Sequence, residues 1–339
     1  MNAEASPNAD FDGFLSKNGL LAPGETAHYA PLTGGVSSDI WRVDLPGRQI
    51  CIKRALEKLK VADDWHAPIS RNATEVGWLN VANEIVPGSA PEVLAHDADA
   101  GMFAMAYIDP VEAPVWKSAL SEGKADTEFA AQVGKSLAAI HAASMTRPEL
   151  AQAFATDQPF HAIRLEPYLE TTARRHPDLA ASLNALVAIT ASTKMALVHG
   201  DVSPKNILMA PTGPVFLDAE CAWWGDPAFD LAFCLNHMLL KCLWVPAATA
   251  DFLACYQAMG LGYFEGLPAA VAGGIEVRTA HLLPGLFLAR IDGKSPVEYV
   301  TSEADKERVR RVARQLLTNP VSSLATIGNI WAEEMGATS

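Results

Sequence analysis

The chain has no run of about 18 uninterrupted apolar residues, because Asp230, Asn236, His237 and Lys241 break its most hydrophobic region, Phe229 to Val245. A helix crossing a bilayer is therefore not expected. Cysteine is sparse: Cys51, Cys221, Cys234, Cys242 and Cys255 are odd in number, lack a CxxC spacing and mostly sit in apolar text such as FDLAFCLNHMLLKCLW. This argues against a disulfide framework and for buried, reduced thiols in a cytoplasmic protein. Positive charge is also in deficit, 26 basic against 39 acidic side chains, for a formal net charge of −13. Phosphate backbones and anionic lipid surfaces are repelled by that balance, so neither nucleic acid nor a membrane is expected as a partner. Repeats and low-complexity tracts are missing. The opening MNAEASPNADFDG has acids and no basic segment before an apolar one, so an export signal is not expected and residues 1–12 are expected to fray.

What the sequence does have is core material. Half of its 339 residues are hydrophobic, enough for about two domains or two large lobes. From Thr33 to Lys53 the β-rich runs IWRVDL and QICIK flank Pro46-Gly47, which predicts a hairpin preceded by a glycine-containing turn. Val76, Leu79 and Ala82 recur every three residues over 71–86, which predicts a helix ended by Pro87-Gly88. A strand, MFAMAYI, follows at 102–108, so the pattern to this point is a small mixed sheet with one helix. After Pro110 helices dominate. Phe129, Val133, Leu137 and Ile140 share a face opened by the cap candidate Asp126. The interval 160–195 reads as helical, 196–201 and 214–220 as short strands ending in acids, and the charged segment 305–317 as a solvated helix face.

Those two short strands carry the chemistry. LVHGDVSPKNIL and VFLDAE hold Asp201, Asn206 five residues on and Asp218 twelve beyond that, each at a strand end or in the adjoining loop. Strand-end loops let a rigid scaffold fix polar tips that stay wet. Taken singly, an Asp before Val-Ser-Pro is an ordinary Asx cap. Together, a carboxylate able to accept a proton and an acid-plus-amide pair of hard oxygen donors suit a magnesium-assisted transfer to a hydroxyl. The distant cation is Lys53, in QICIKRA.

HGDVSPKN followed by FLDAE resembles the HGDxxxxN and D-x-E signatures of the aminoglycoside phosphotransferase and choline kinase-like family, and GDPAFDLA resembles that family's habitual continuation. The resemblance runs in order along nearly the whole chain. It implies an α+β, two-lobed protein-kinase-like fold, with a nucleotide-binding lobe over 1–108 and a mostly helical catalytic and substrate lobe over 109–339. It implies transfer of the γ-phosphoryl group of ATP, with Mg2+, to a hydroxyl of a small molecule such as a sugar, amino sugar or amino alcohol. By the same resemblance Asp201 is the catalytic base, Asn206 and Asp218 hold the metal, and Lys53 contacts the nucleotide phosphates. Glu75 is the helix partner of Lys53, with Glu84 as competitor. Gly34, Gly35, Ser37 and Ser38 match the phosphate loop, and main-chain groups from Ala106 to Ile108 match the adenine-binding hinge. Glu220 either assists the metal or serves structure, Asp230 braces the catalytic loop, and His199 packs in it. Trp223 and Trp224 invite a cation–π reading. Arg278, His281, Arg290, Asp292 and Lys294 are candidates for acceptor contacts. A non-catalytic nucleotide-binding protein of the same fold and a protein kinase are the alternatives. The second is disfavoured by Gly200 in place of the arginine of HRD, by the lack of an APE segment, and by the short stretch after Asp218.

Overall fold

The protein is described from a computed structural model, over residues 8–32, 38–57 and 68–337. Its first part is a five-stranded sheet of β1 (His28–Leu32), β2 (Ser38–Leu45), β3 (Arg48–Ala55), β4 (Val93–Asp97) and β5 (Met102–Ala106) in the order β1-β2-β3-β5-β4. The β2–β3 hairpin turns at Pro46-Gly47, as the sequence predicts, with Leu45 opposite Arg48 and Ile40 opposite Lys53. Every pairing in the sheet is antiparallel, so the expected mixed sheet is corrected: consecutive strands here are joined by hairpins or fold back, and no crossover places two neighbours in parallel.

Alternation along β3 sorts its side chains between two environments. Ile50 and Ile52 point to one face, where they are buried with Phe11, Phe14 and Leu15 of helix α1 (Asn8–Lys17). Cys51 and Lys53 point to the other, and line a cleft. The frayed terminus expected over 1–12 is corrected for residues 8–12. Phe11, Phe14 and Leu15 recur at helical spacing, and Phe11 and Leu15 are fully buried, which anchors the helix on the sheet. Helix α2 (Arg71–Ile85) packs Trp78, Leu79 and Ala82 into the main core together with Phe103 of β5.

The remainder is mostly helical. Helix α3 (Trp116–Ser121) leads to α4 (Thr127–Ser144), which starts where Asp126 accepts a hydrogen bond from the Phe129 amide at 3.0 Å. The helix Thr249–Glu265 crosses α4 with almost no gap. A Cβ at Gly134 would meet the Met259 carbonyl at 2.2 Å, and one at Gly262 the Ala131 carbonyl at 2.4 Å, so both glycines are steric requirements of the crossing. Every residue from Ala228 to Leu243 is buried, which makes the helix Ala228–Trp244 the centre of this part. Helix Glu303–Thr318 buries Val309, Val312, Leu316 and Leu317, while its charged face forms ion pairs such as Arg310 with Asp292 and Arg314 with Asp178. Two small antiparallel pairs, β6 (Ala196–Val198) with β9 (Trp223–Gly225) and β7 (Ile207–Ala210) with β8 (Gly213–Phe216), carry the loops that hold Asp201, Asn206 and Asp218. Among the described residues no helix is long and apolar enough to cross a membrane.

Candidate active site

A cavity of about 400 Å³ lies between the sheet and the helical part, lined by Ile40, Lys53 and Glu75 on one side and by Lys205, Asn206 and Asp218 on the other. Lys53 is buried, and its Nζ lies 2.8 Å from Glu75 Oε1 and 2.5 Å from Asp218 Oδ1. Residues 165 positions apart thus meet at one ammonium. Glu84 is largely exposed and pairs with Arg147, so it is Glu75 that reaches Lys53. Burial works against the lysine's charge, but Asp218 and then Glu75 outweigh it and hold the ammonium above its ordinary range. Burial pushes the Glu75 carboxyl up to about 7, with Lys53 pulling the other way. For Asp218, Lys53 and then Lys205 overcome burial and keep the carboxyl well below the usual carboxylate range. Asp218 is also the one non-glycine with positive φ among the described residues, at +66°, a conformation that aspartate tolerates and that marks functional turns.

Asp201 sits behind the cleft-lining Lys205 and Asn206, in the opposite electrostatic setting. Its Oδ2 accepts from Asn206 Nδ2 at 2.8 Å and lies 3.1 Å from Arg164 Nη2 and 3.3 Å from Lys205 Nζ. All three partners converge on Oδ2, and Oδ1 has no side-chain partner among the described residues. Asn206 donates its Nδ2 hydrogens to the Asp201 carboxylate and main-chain carbonyl, so its amide oxygen, an acceptor or metal ligand, is the group it has left for the cleft. Arg164 comes from a wide helical turn, His161–Glu170, that contains Pro167, a residue with no amide hydrogen to donate. Its Nε donates to the Gly200 carbonyl at 2.5 Å, so one guanidinium holds both the loop backbone and its acid.

The loop is fixed from behind. Asp230 accepts from the His199 and Gly200 amides at 2.7 and 2.8 Å and contacts His141 Nε2, whose Nδ1 meets the Tyr263 hydroxyl at 2.8 Å. His199 Nδ1 accepts from the Asp201 amide, and its Nε2 lies 3.1 Å from the Leu217 carbonyl, a pattern that a neutral Nε2–H ring satisfies. Burial pushes its pKa down in agreement, against the pull of Asp230. Gly200 has φ +80°, and a Cβ there would lie 2.6 Å from the Cys221 carbonyl, so no side chain fits at this position.

Glu220 pairs with Arg71 at the start of α2. Ala106, Tyr107 and Ile108 line the cleft. The Ala106 amide is already bonded to the Glu92 carbonyl, whereas the Ile108 main chain has no hydrogen bond among the described residues. Gly34, Gly35 and Ser37 lie outside the described residues, and Ser38 is buried at the start of β2. Trp223 is stacked on Phe160 at 4.0 Å in the core, which leaves no open face for a ligand cation. Of the five residues expected near the acceptor, Arg278 is tied to Asp226 and Lys294 to Glu166, and Asp292 is held by Arg310 and His176. Arg290, unlike Arg278, His281, Asp292 and Lys294, lines a cavity beside the loop 203–205. Sequence reasoning missed Arg164 and Lys205. Arg164 lies 37 residues before Asp201 with no motif around it, whereas Lys205, inside SPKN, was in plain view.

Among the described residues no three His, Cys, Asp or Glu side chains group into a metal site. Asp218 and Asn206 offer one ionised carboxylate and one amide oxygen to the same cleft. That set fits Mg2+, which commonly takes one or two protein oxygens and completes its shell with phosphate and water.

The chain was compared with known proteins. It is 27% identical to a methylthioribose kinase of Yersinia enterocolitica over 58% of this chain and 56% of that one. The chain therefore spans about half the length of the curated relatives it matches. Among solved structures, a choline kinase of Cryptosporidium parvum superposes with a TM-score of 0.58 at 13% identity, covering 94% of this chain and 98% of that one. An amicoumacin kinase, solved in complex with AMP-PNP and Ca2+, superposes with a TM-score of 0.52 at 14% identity over 95% and 98% of the two chains. At such identities the superpositions establish the fold, the two-lobed one of protein kinases. A family model, that of the phosphotransferase enzymes, matches residues 28–273, and the chain belongs to that family.

Proposed function

We propose that this chain transfers the γ-phosphoryl group of ATP to a hydroxyl of a small molecule, in a cytoplasmic setting that keeps its five buried thiols reduced. The observation that carries the proposal is the placement, by neighbouring loops, of Asp201 with one oxygen held by Arg164 and of Asp218 held ionised against Lys53 of the facing sheet. In this reading residues up to 108 bind the nucleotide and residues from 109 provide catalysis and the acceptor site. The Ile108 main chain pairs with the adenine edge. Gly35 and Ser37 approach the phosphates, and Lys53, oriented by Glu75, contacts them. Asn206 and Asp218 hold Mg2+, which when bound neutralises charge on the transferring phosphates.

Asp201 Oδ1 accepts a hydrogen bond from the acceptor hydroxyl and turns its lone pair toward the phosphorus. As the O–P bond forms and the bond to ADP breaks, the hydroxyl proton passes to Asp201. Arg164, Asn206 and Lys205 hold the other oxygen, so the carboxylate cannot rotate away, and positioning supplies most of the rate. Lys205 also lines the cleft, where its ammonium meets charge developing on the transferred group.

The test is release of ADP with magnesium-ATP and a panel of hydroxyl compounds. The proposal requires turnover with at least one acceptor that Asp201→Asn abolishes. Bound AMP-PNP with no turnover on any acceptor would favour the non-catalytic alternative.

A further inference from the structure

A second, smaller cavity lies directly beneath the catalytic loop. Ser203 and Pro204 form its roof, and Lys205 lines both this cavity and the nucleotide cleft. Its volume is about 40 Å³, room for about three water-sized groups. Three polar groups converge there without the partners that buried polar groups normally have. The Ser203 hydroxyl is fully buried and unbonded, and so is Nε of Arg290. Lys241 is 1% exposed, yet among the described residues its ammonium has no hydrogen bond and no carboxylate within ion-pair distance. It is held only by the faces of Trp244 and Tyr299, at 4.0 and 3.9 Å.

Charge points the same way. Lys117, Lys205, Lys241 and Arg290 all face this space; Glu298 takes Lys117 and Asp201 takes Lys205, which leaves Lys241 and Arg290 with no carboxylate among the described residues. His237 adds a ring kept neutral by burial and by the surrounding cations, and it contacts the Tyr299 hydroxyl at 3.4 Å. A chain with a net charge of −13 thus concentrates unpaired positive charge and an orphaned hydroxyl beside its catalytic acid. Such a cluster is costly to bury without a counter-ion.

We infer that the cavity under residues 203–205 binds an anionic group of the phosphoryl acceptor, so that the substrate is an acidic hydroxy compound, carrying a carboxylate or a phosphate, with its hydroxyl at Asp201. The inference rests on the proposed phosphotransfer for its meaning, but the anion site stands or falls on its own measurement. Burial, with a further contribution from Lys117, brings Lys241 down to about 7. An anion therefore binds best below that pH, where the lysine is charged, and binding takes up a proton above it. A polycationic amino sugar is excluded by the same charges.

Trp244, stacked on Tyr299 at 4.5 Å, is a built-in reporter. Tryptophan fluorescence of the full chain, with and without AMP-PNP and Mg2+, is followed while sodium acetate or inorganic phosphate replaces chloride at constant ionic strength. The wild type is expected to show a saturable change that weakens above about pH 7. Trp244→Phe should remove the signal, Lys241→Met should weaken binding at least tenfold and abolish the pH dependence, and Lys241→Arg should restore affinity. The stronger of the two anions identifies the acidic group. No saturable change in the wild type, or an unchanged one in a folded Lys241→Met, overturns the site and leaves the cavity to solvent. In the ADP-release assay, D-glycerate or glycerol 3-phosphate should exceed glycerol at least tenfold in kcat/KM, with Lys241→Met raising KM rather than lowering kcat. Preference for choline or kanamycin would overturn the substrate class. An intact anion response without turnover on any acceptor would support the site and count against phosphotransfer alone.

Discussion

Two clusters at the cleft hold charge in opposite proportions. Around Lys53, an ammonium on the sheet side, lie Glu75 and, reaching over from the facing side, Asp218 and the more distant Glu220. On the catalytic-loop side one carboxylate, Asp201, lies among Arg164, Lys205 and the amide of Asn206. A cluster with excess carboxylate is incomplete until a cation arrives, and a cluster with excess cation is incomplete until an anion does. The contrast teaches how the division of labour is built. Asp218 is kept ionised, as the proposed metal role requires, whereas Asp201 is kept rigid through one of its two oxygens.

The sharpest way to break this comparison is Asp201→Asn, which removes the proton acceptor but keeps shape and most hydrogen bonds. Turnover should fall about 10³-fold, measured as ADP release, with an unchanged fold. Next in size is Arg164→Met, which strands a buried carboxylate and the Gly200 carbonyl. It should cost about 3 kcal/mol of unfolding free energy, read by denaturant titration, in addition to activity. Asp218→Asn should weaken magnesium-dependent AMP-PNP binding at least tenfold, about 1.4 kcal/mol, by calorimetry. Smallest is the pair on α2: Glu75→Gln should lower kcat several-fold, whereas Glu84→Gln, at an exposed ion pair, should leave activity unchanged and shift stability by less than about 1 kcal/mol. Equal effects of Glu75→Gln and Glu84→Gln would remove Glu75 from the site.

Much of this was readable in the sequence, where the physical signal is local. The β2–β3 hairpin follows from Pro46-Gly47 between two β-rich runs, α4 from Asp126 and a three-to-four spacing, and the pairing of Lys53 with Glu75 from family order. What was not readable depends on partners far along the chain. β9 is three residues long and becomes a strand only by pairing with β6, which lies inside the strand predicted over 196–201. β1 and β4 are edge strands of five residues without strict alternation. Helix α1 did carry a signal, Phe11, Phe14 and Leu15, masked by Asp10 and Asp12 on either side of Phe11. Arg164 could not be found, because only the fold brings the turn at 161–170 under Gly200. The reason for Gly200 was hidden as well, since it lies in a backbone angle of +80° and in the approach of Cys221. Gly200→Ala should therefore cost about 1–3 kcal/mol. The proposed anion cavity joins Ser203, inside HGDVSPKN, to Lys241 and Arg290 on two other segments, neither of which belongs to a recognisable pattern.

The most direct test of the central claim is calorimetric titration of AMP-PNP with Mg2+ into Asp201→Asn and Asp218→Asn side by side. The account predicts affinity within about threefold of wild type for the first and a loss of at least tenfold for the second. Equal losses in the two would contradict it, because the cleft would then not separate an acid that handles the hydroxyl from one that holds the metal.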